Sequence, residues 1–254
     1  MARLKPVSHD DRLTVVEHLD ELRTRIVVAL LAFAVALALC FWQNHLLLHW
    51  LNRPLHGKKP ITFGVAEAFT TTLTVTAYAA LVIALPVILY QFYAYVLPAF
   101  TPNEARVARP LLLMIPVLFL GGAIFGYFLV VPAATHFLLH FNSSEFNTQI
   151  RARDYYYFVT TTLLACGGVF QMPVVILALV RLGITTAAKL RRNRRYAILV
   201  CTVIGAALPG VDPVSMILET LPLIALFELS ILLARFFGRP STELSERWAS
   251  AEGS

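Results

Sequence analysis

Long apolar runs set the first constraint on this chain. They recur at about residues 26–43, 71–98, 110–140, 154–182, 196–208 and 215–235. Roughly 20 apolar residues suffice to cross a bilayer, so several of these runs are long enough to span one. Composition agrees: 58% of residues are hydrophobic and only 14% charged, against about 25% charged in a soluble domain. Mean hydropathy is +0.70. The expectation is an all-α polytopic membrane protein with six transmembrane helices. No Gly/Ser linker divides the sequence, so residues 1–238 read as one transmembrane domain and 239–254 as a disordered cytoplasmic tail. The first 25 residues are polar and of mixed charge, and no small-residue cleavage site follows the first run, so a removable signal peptide is not expected.

Basic residues orient the spans. One side collects Arg3, Lys5, Arg12, Arg23 and Arg25, then Arg106, Arg109 and Arg181, then the five cations around "LRRNRRY", and finally Arg235, Arg239 and Arg247. The other side keeps Arg53, Lys58, Lys59, Arg151 and Arg153. The positive-inside rule therefore places both termini in the cytoplasm. The net charge of +6 is read as loop orientation and not as a nucleic-acid surface.

The fifth run, "YAILVCTVIGAAL", is too short for a full crossing: 13 residues span roughly 20 Å, against a hydrocarbon core of about 30 Å. Asp212-Pro213 then reads as an N-cap followed by Pro at the first helical position, so helices five and six form a short hairpin. Pro86, Pro98, Pro116, Pro132, Pro173 and Pro222 lie in or at the ends of spans, where proline kinks helices, and a kinked, concave bundle is expected. Gly122 and Gly126 form a GxxxG motif that serves close packing within the chain or an oligomer face. Cys40, Cys166 and Cys201 sit in apolar runs and read as buried thiols.

An acidic cluster stands at the start of the first span. Glu17, Asp20 and Glu21 share one helix face. Thr14 with Glu17 makes a capping box, and Glu21 can pair with Arg25. The cluster is either a self-paired helix start or a receptor for a cation at the cytoplasmic surface. Glu104 follows Thr101 and Pro102 at the capping-box position and faces the same compartment. Two fixed carboxylates suit a ligand with two adjacent guanidinium groups, because Arg pairs with carboxylate in a bidentate way that Lys cannot reproduce.

The motifs "HLDELRTR", "LPVILYQFYAYVLPAFTPNEAR", "YFLVVPAA", "CGGVFQMPVV", "LGITT", "LRRNRRY" and "LPGVDPVSM" appear in the order seen in the TatC family, and the chain resembles that family over roughly residues 14–238. TatC is the multispan subunit of the twin-arginine protein translocase. The resemblance implies a receptor and scaffold that exports folded proteins across the inner membrane using the proton-motive force. It implies twin-arginine signal peptides as ligands, TatA-type and TatB-type single-span partners, further copies of the chain, and no nucleic acid, cofactor or metal. Glu21 and Glu104 would hold the two signal arginines, with Arg23 on the same surface. Asp212 matches the acid of the short loop between helices five and six. Gln171 departs from the family, which often carries Glu in F-E-x-P; a neutral amide can hydrogen-bond but cannot relay a proton.

Rival readings are weaker. A small-molecule or ion transporter would ordinarily show repeated halves, and none is visible. An intramembrane enzyme would need paired catalytic groups. The pairs His45/His49 and His136/His140 have metal-compatible spacing but no accompanying carboxylate motif. Tyr155, Tyr156 and Tyr157 suit an outer aromatic belt.

Overall fold

The computed structural model describes residues 15–55, 57–96, 102–145, 148–181, 184–208 and 212–237, with the backbone alone at 15–17, 96, 102–113, 181 and 236–237, which include Glu17 and Glu104. Thr14, Thr101 and the expected tail at 239–254 lie outside the described residues. The helices are α1 (Val15–Trp42), α2 (Asn44–Asn52), α3 (Glu67–Val96), α4 (Pro102–Phe125), α5 (Val131–His140), α6 (Ala152–Val169), α7 (Met172–Arg181), α8 (Ala187–Arg192), α9 (Arg194–Ala207) and α10 (Pro213–Phe237). Among the described residues the only non-helical pairing is an isolated bridge between Ile61 and Arg151. The all-α expectation therefore holds.

Five helical stretches are long and apolar enough to cross a membrane: His18–Trp42, Glu67–Tyr95, Met114–His140, Ala152–Val180 and Pro213–Arg235. They coincide with five of the six apolar runs. The remaining run is α9, whose 14 residues extend for about 21 Å.

Two of the long stretches are composite, and proline explains both. Pro132 has no N–H, and its ring crowds the carbonyl four residues back. The chain responds with a five-residue π segment over Gly126–Val130, in which the N–H of Val131 reaches the carbonyl of Gly126. Pro173 has the same effect between α6 and α7. There the chain turns at Phe170 and Gln171, and the N–H groups of both Val174 and Val175 reach the carbonyl of Gln171. Pro86 and Pro222 lie inside α3 and α10, which continue through them.

Packing relies on small residues. Helix α3 lies against α1, α4 and α6. Its contact with α1 is built from Ala36, Cys40, Ala79, Ala80 and Ala84, which let the two backbones approach closely. The GxxxG glycines both face α6: a Cβ at Gly122 would stand 2.5 Å from the carbonyl oxygen of Cys166, and one at Gly126 would stand 3.2 Å from the Cys166 side chain. The motif packs the monomer. All three cysteines are buried and free.

At the loop end shared by α3 and α6, side chains stitch separate segments together. Tyr155 donates to the carbonyl of Leu51 at 2.6 Å and Tyr156 to Oδ1 of Asn52 at 3.0 Å. Tyr127 donates to the carbonyl of Trp50 at 2.7 Å. The expected aromatic belt is thereby corrected: Tyr155 and Tyr156 are buried under the first loop, and only Tyr157 is exposed. The N-terminal turn of α6 must cover Leu51 and Leu55, and a hydroxyl that far inside needs an acceptor there.

Gly122→Ala should therefore force α4 and α6 apart and lower stability by about 1–3 kcal/mol. Gly121→Ala, where an added Cβ meets nothing within 4 Å, should be silent. Thermal unfolding in detergent compares the two.

Candidate functional site

The end of α1 where the acids cluster packs on the C-terminal end of α3. Oε1 of Glu21 accepts from both Nε (3.0 Å) and Nη2 of Arg25. Nη1 of Arg25 then donates to Oε1 of Gln91 on α3 at 3.2 Å. The ring of His18 stacks on Tyr95 of α3, centroids 4.3 Å apart, and its Nδ1 lies 3.8 Å from Oε2 of Glu21. The carboxylate is thus held in a fixed orientation. One oxygen is occupied by Arg25, while among the described residues the other meets no guanidinium and has the His18 ring as its neighbour. Asp20 and Arg23 are exposed on neighbouring positions.

His18 opens the motif "HLDELRTR", whereas Gln91 and Tyr95 did not stand out in the sequence as its neighbours. Their signal was available in "YQFYAY", where a polar residue and a tyrosine four apart interrupt an apolar helix just where it meets α1.

Glu104 lies in the first turn of α4, and its side chain lies outside the described residues. The capping boxes of Thr14 with Glu17 and Thr101 with Glu104 also fall there. Six chain steps separate Val96 from Pro102, so the start of α4 is tethered within about 22 Å of the end of α3.

The other singled-out residues have local partners. Gln171 donates from Nε2 to the carbonyl of Ile115 on α4 at 3.0 Å, bridging the α6–α7 turn to a neighbouring helix. Asp212 is buried and caps α10: Oδ1 accepts from the N–H of Ser215 at 2.8 Å, and Oδ2 from its hydroxyl at 2.6 Å. Glu228 pairs with Arg194 of α9 at 2.7 Å, which ties the basic "RRNRR" segment to α10. Among the described residues no group of three or more His, Cys, Asp or Glu could hold a metal. His136 and His140 stack on one another.

A second feature was not anticipated. A cleft of about 750 Å³ opens between the N-terminal ends of α3 and α6, lined by Thr70, Thr71, Thr74 and Thr160 with Tyr78 and Tyr157. Its floor carries an ion pair, Arg151 Nε to Glu67 Oε1 at 2.7 Å. The other oxygen of Glu67 accepts from the N–H groups of Phe63 and Gly64, so this acid also shapes the start of α3.

Known proteins resemble this chain along most of its length. The family model for the Sec-independent protein translocase protein TatC matches residues 17–222. A TatC protein of Desulforapulum autotrophicum is 35% identical over 228 residues, covering 88% of this chain and 84% of its own. One from Carboxydothermus hydrogenoformans is 33% identical and covers 94% of this chain and 99% of its own. A crystal structure described as the twin-arginine translocase receptor TatC superposes with a TM-score of 0.74 at 33% identity, over 88% of this chain and all of that one. None of these relatives supports the small-molecule transporter reading. The chain belongs to the TatC family: it is a multispan subunit of the Sec-independent, twin-arginine protein translocase and not an enzyme.

Proposed function

We propose that this chain is the signal-peptide receptor and core scaffold of its translocase, with Glu21 and Glu104 as the seat of the two signal arginines. The observation that carries the reading is the half-used carboxylate of Glu21. Arg25, braced by Gln91, takes one oxygen and leaves the other for an incoming guanidinium. A preoriented acceptor binds more tightly because less freedom is lost on binding. The short tether from α3 to α4 keeps Glu104 in the same neighbourhood, and Arg23 completes that surface. The apolar part of the signal then lies along the bundle.

The same reading carries the membrane topology. Both termini face the cytoplasm of a cell whose inner membrane the chain crosses six times, the short pair α9 and α10 forming the last hairpin. The bundle is concave, and the Asp212 loop lies on the outer side with the threonine-lined cleft. Residues 1–238 form one domain and 239–254 a disordered cytoplasmic tail. Folded cargo is passed across at the expense of the proton-motive force, together with TatA-type and TatB-type single-span partners and further copies of the chain. Exposed apolar side chains on α9 and α10, among them Leu199, Val203, Leu221 and Leu232, suit lipid or such partner helices. Gln171 takes a structural part, as its bond to Ile115 supports.

Site-specific crosslinking from positions near Glu104 to a twin-arginine signal peptide tests the receptor role directly. Glu21→Gln and Glu104→Gln should each weaken signal binding about 10- to 100-fold while the protein still inserts, since each removes a charge-assisted hydrogen bond. Normal export by the double variant ends the proposal. A signal with Lys-Lys in place of Arg-Arg should also bind more weakly to the unaltered chain, because an ammonium is a compact, strongly hydrated point charge without the planar donor fork of a guanidinium.

A further inference from the structure

The inward face of α10 carries a polar stripe that the receptor role does not use. Asp212, Ser215 and Glu219 stand at i, i+3 and i+7, so they share one face of the helix. All three are buried, with 3%, 0% and 3% of their surface exposed. Asp212 and Ser215 satisfy each other. Glu219 differs: among the described residues neither of its oxygens has a hydrogen-bond partner, nor does the hydroxyl of the adjacent Thr220. Seven residues of helix carry the stripe about 10 Å from the Asp212 end into the span.

Among the described residues, the charged groups on the surrounding elements do not neutralise Glu219; the side chain of Arg181 on α7 lies outside them. From α6 and from its own helix start, Cys166 and Asp212 lie within electrostatic range, and neither is a cation. Helix α5 brings His136 and His140, both exposed. Helix α9 contributes Cys201, packed with Leu223, Phe227 and Ile231, while its Arg194 is committed to Glu228. Its Arg195 is exposed at the same end of α9, and the cations of α8 (Lys189, Arg191 and Arg192) are exposed as well. An isolated carboxylate enclosed this way within a membrane protein is very costly, and a carboxylic acid much less so.

We infer that Glu219 is an intramembrane proton-binding site, loaded in the resting protein and reached from the Asp212 end of α10 along Ser215. The amide of Gln171 cannot titrate, whereas the carboxyl of Glu219 can take up and release a proton. Along that helix face Ser215 stands between the two acids, and its hydroxyl donates to Asp212. The hydroxyl of Thr220, without a partner among the described residues, is next to the acid in the chain and sits against α9, since a Cβ at Gly205 would lie 2.3 Å from it. A shift of α9 against α10 would alter the solvation of Glu219 and hence its hold on the proton. Only the sidedness of the site rests on the receptor reading, and no signal peptide enters the test.

The purified chain in lipid nanodiscs is treated with dicyclohexylcarbodiimide, which adds to a protonated carboxyl in an apolar setting. The acid proton passes to a carbodiimide nitrogen, the oxygen adds to the central carbon, and the adduct rearranges to a stable acylurea without a leaving group. Peptide mass spectrometry should find the label at Glu219 and not at the ion-paired Glu228. In parallel, infrared spectra at pH 7 should show a protonated carboxyl band that is lost in Glu219→Gln. An unlabelled Glu219, or a band that survives in Glu219→Gln, overturns the inference and leaves signal binding untouched. The labelling arm uses the unaltered chain, so it stands even where the variant misfolds.

Discussion

Lipid offers no hydrogen bonds, so each backbone N–H and C=O that crosses it must find a partner within the protein. Two breaks in the long helices of this bundle occur where proline removes a donor, and each is repaired locally. The π segment before Pro132 passes one bond to the carbonyl five residues back. The turn before Pro173 lets the carbonyl of Gln171 serve two N–H groups, while the Gln171 side chain reaches across to Ile115. The repairs fix where α5 and α7 begin, and thereby how α10 can pack against them.

Where solvent cannot drive helices together, close contact must. Small residues do this along α1 and α3, and two glycines do it between α4 and α6. Polar side chains are then placed in two distinct ways. At the loop end of α3 and α6, Glu67 is paired with Arg151, and the buried tyrosines with the Leu51 carbonyl and Asn52. Near the start of α1 they are paired only in part, as the proposed receptor surface would require.

The spans were legible in the sequence because length and apolarity alone decide them. Five of the six runs recur as helices able to cross, and the shortness of α9 was visible from Pro209 and the break after it. The Asp212 cap and the Glu21–Arg25 pair were also legible, since both depend on spacing within one helix. Partners far apart in sequence were not. Arg25 with Gln91, Tyr155 with Leu51 and Glu228 with Arg194 require knowing which helices are neighbours. The tyrosines were misread for the same reason, because an aromatic run at a helix start looks alike whether it faces headgroups or a loop. The cleft between α3 and α6 had no local signature, being made from two segments about 84 residues apart.

The seam between the first and third loops has a consequence for how the molecule is made. Its bonds join residues 84 and 104 apart in the chain. A ribosome delivering this polypeptide in order releases α1, α2 and α3 long before the seam's other half exists. Glu67 waits without its arginine, and the carbonyl of Leu51 without its tyrosine, until α6 emerges. The arrival of the fourth apolar run thus fastens the loop end over an α1–α3 pair that its small residues let pack beforehand.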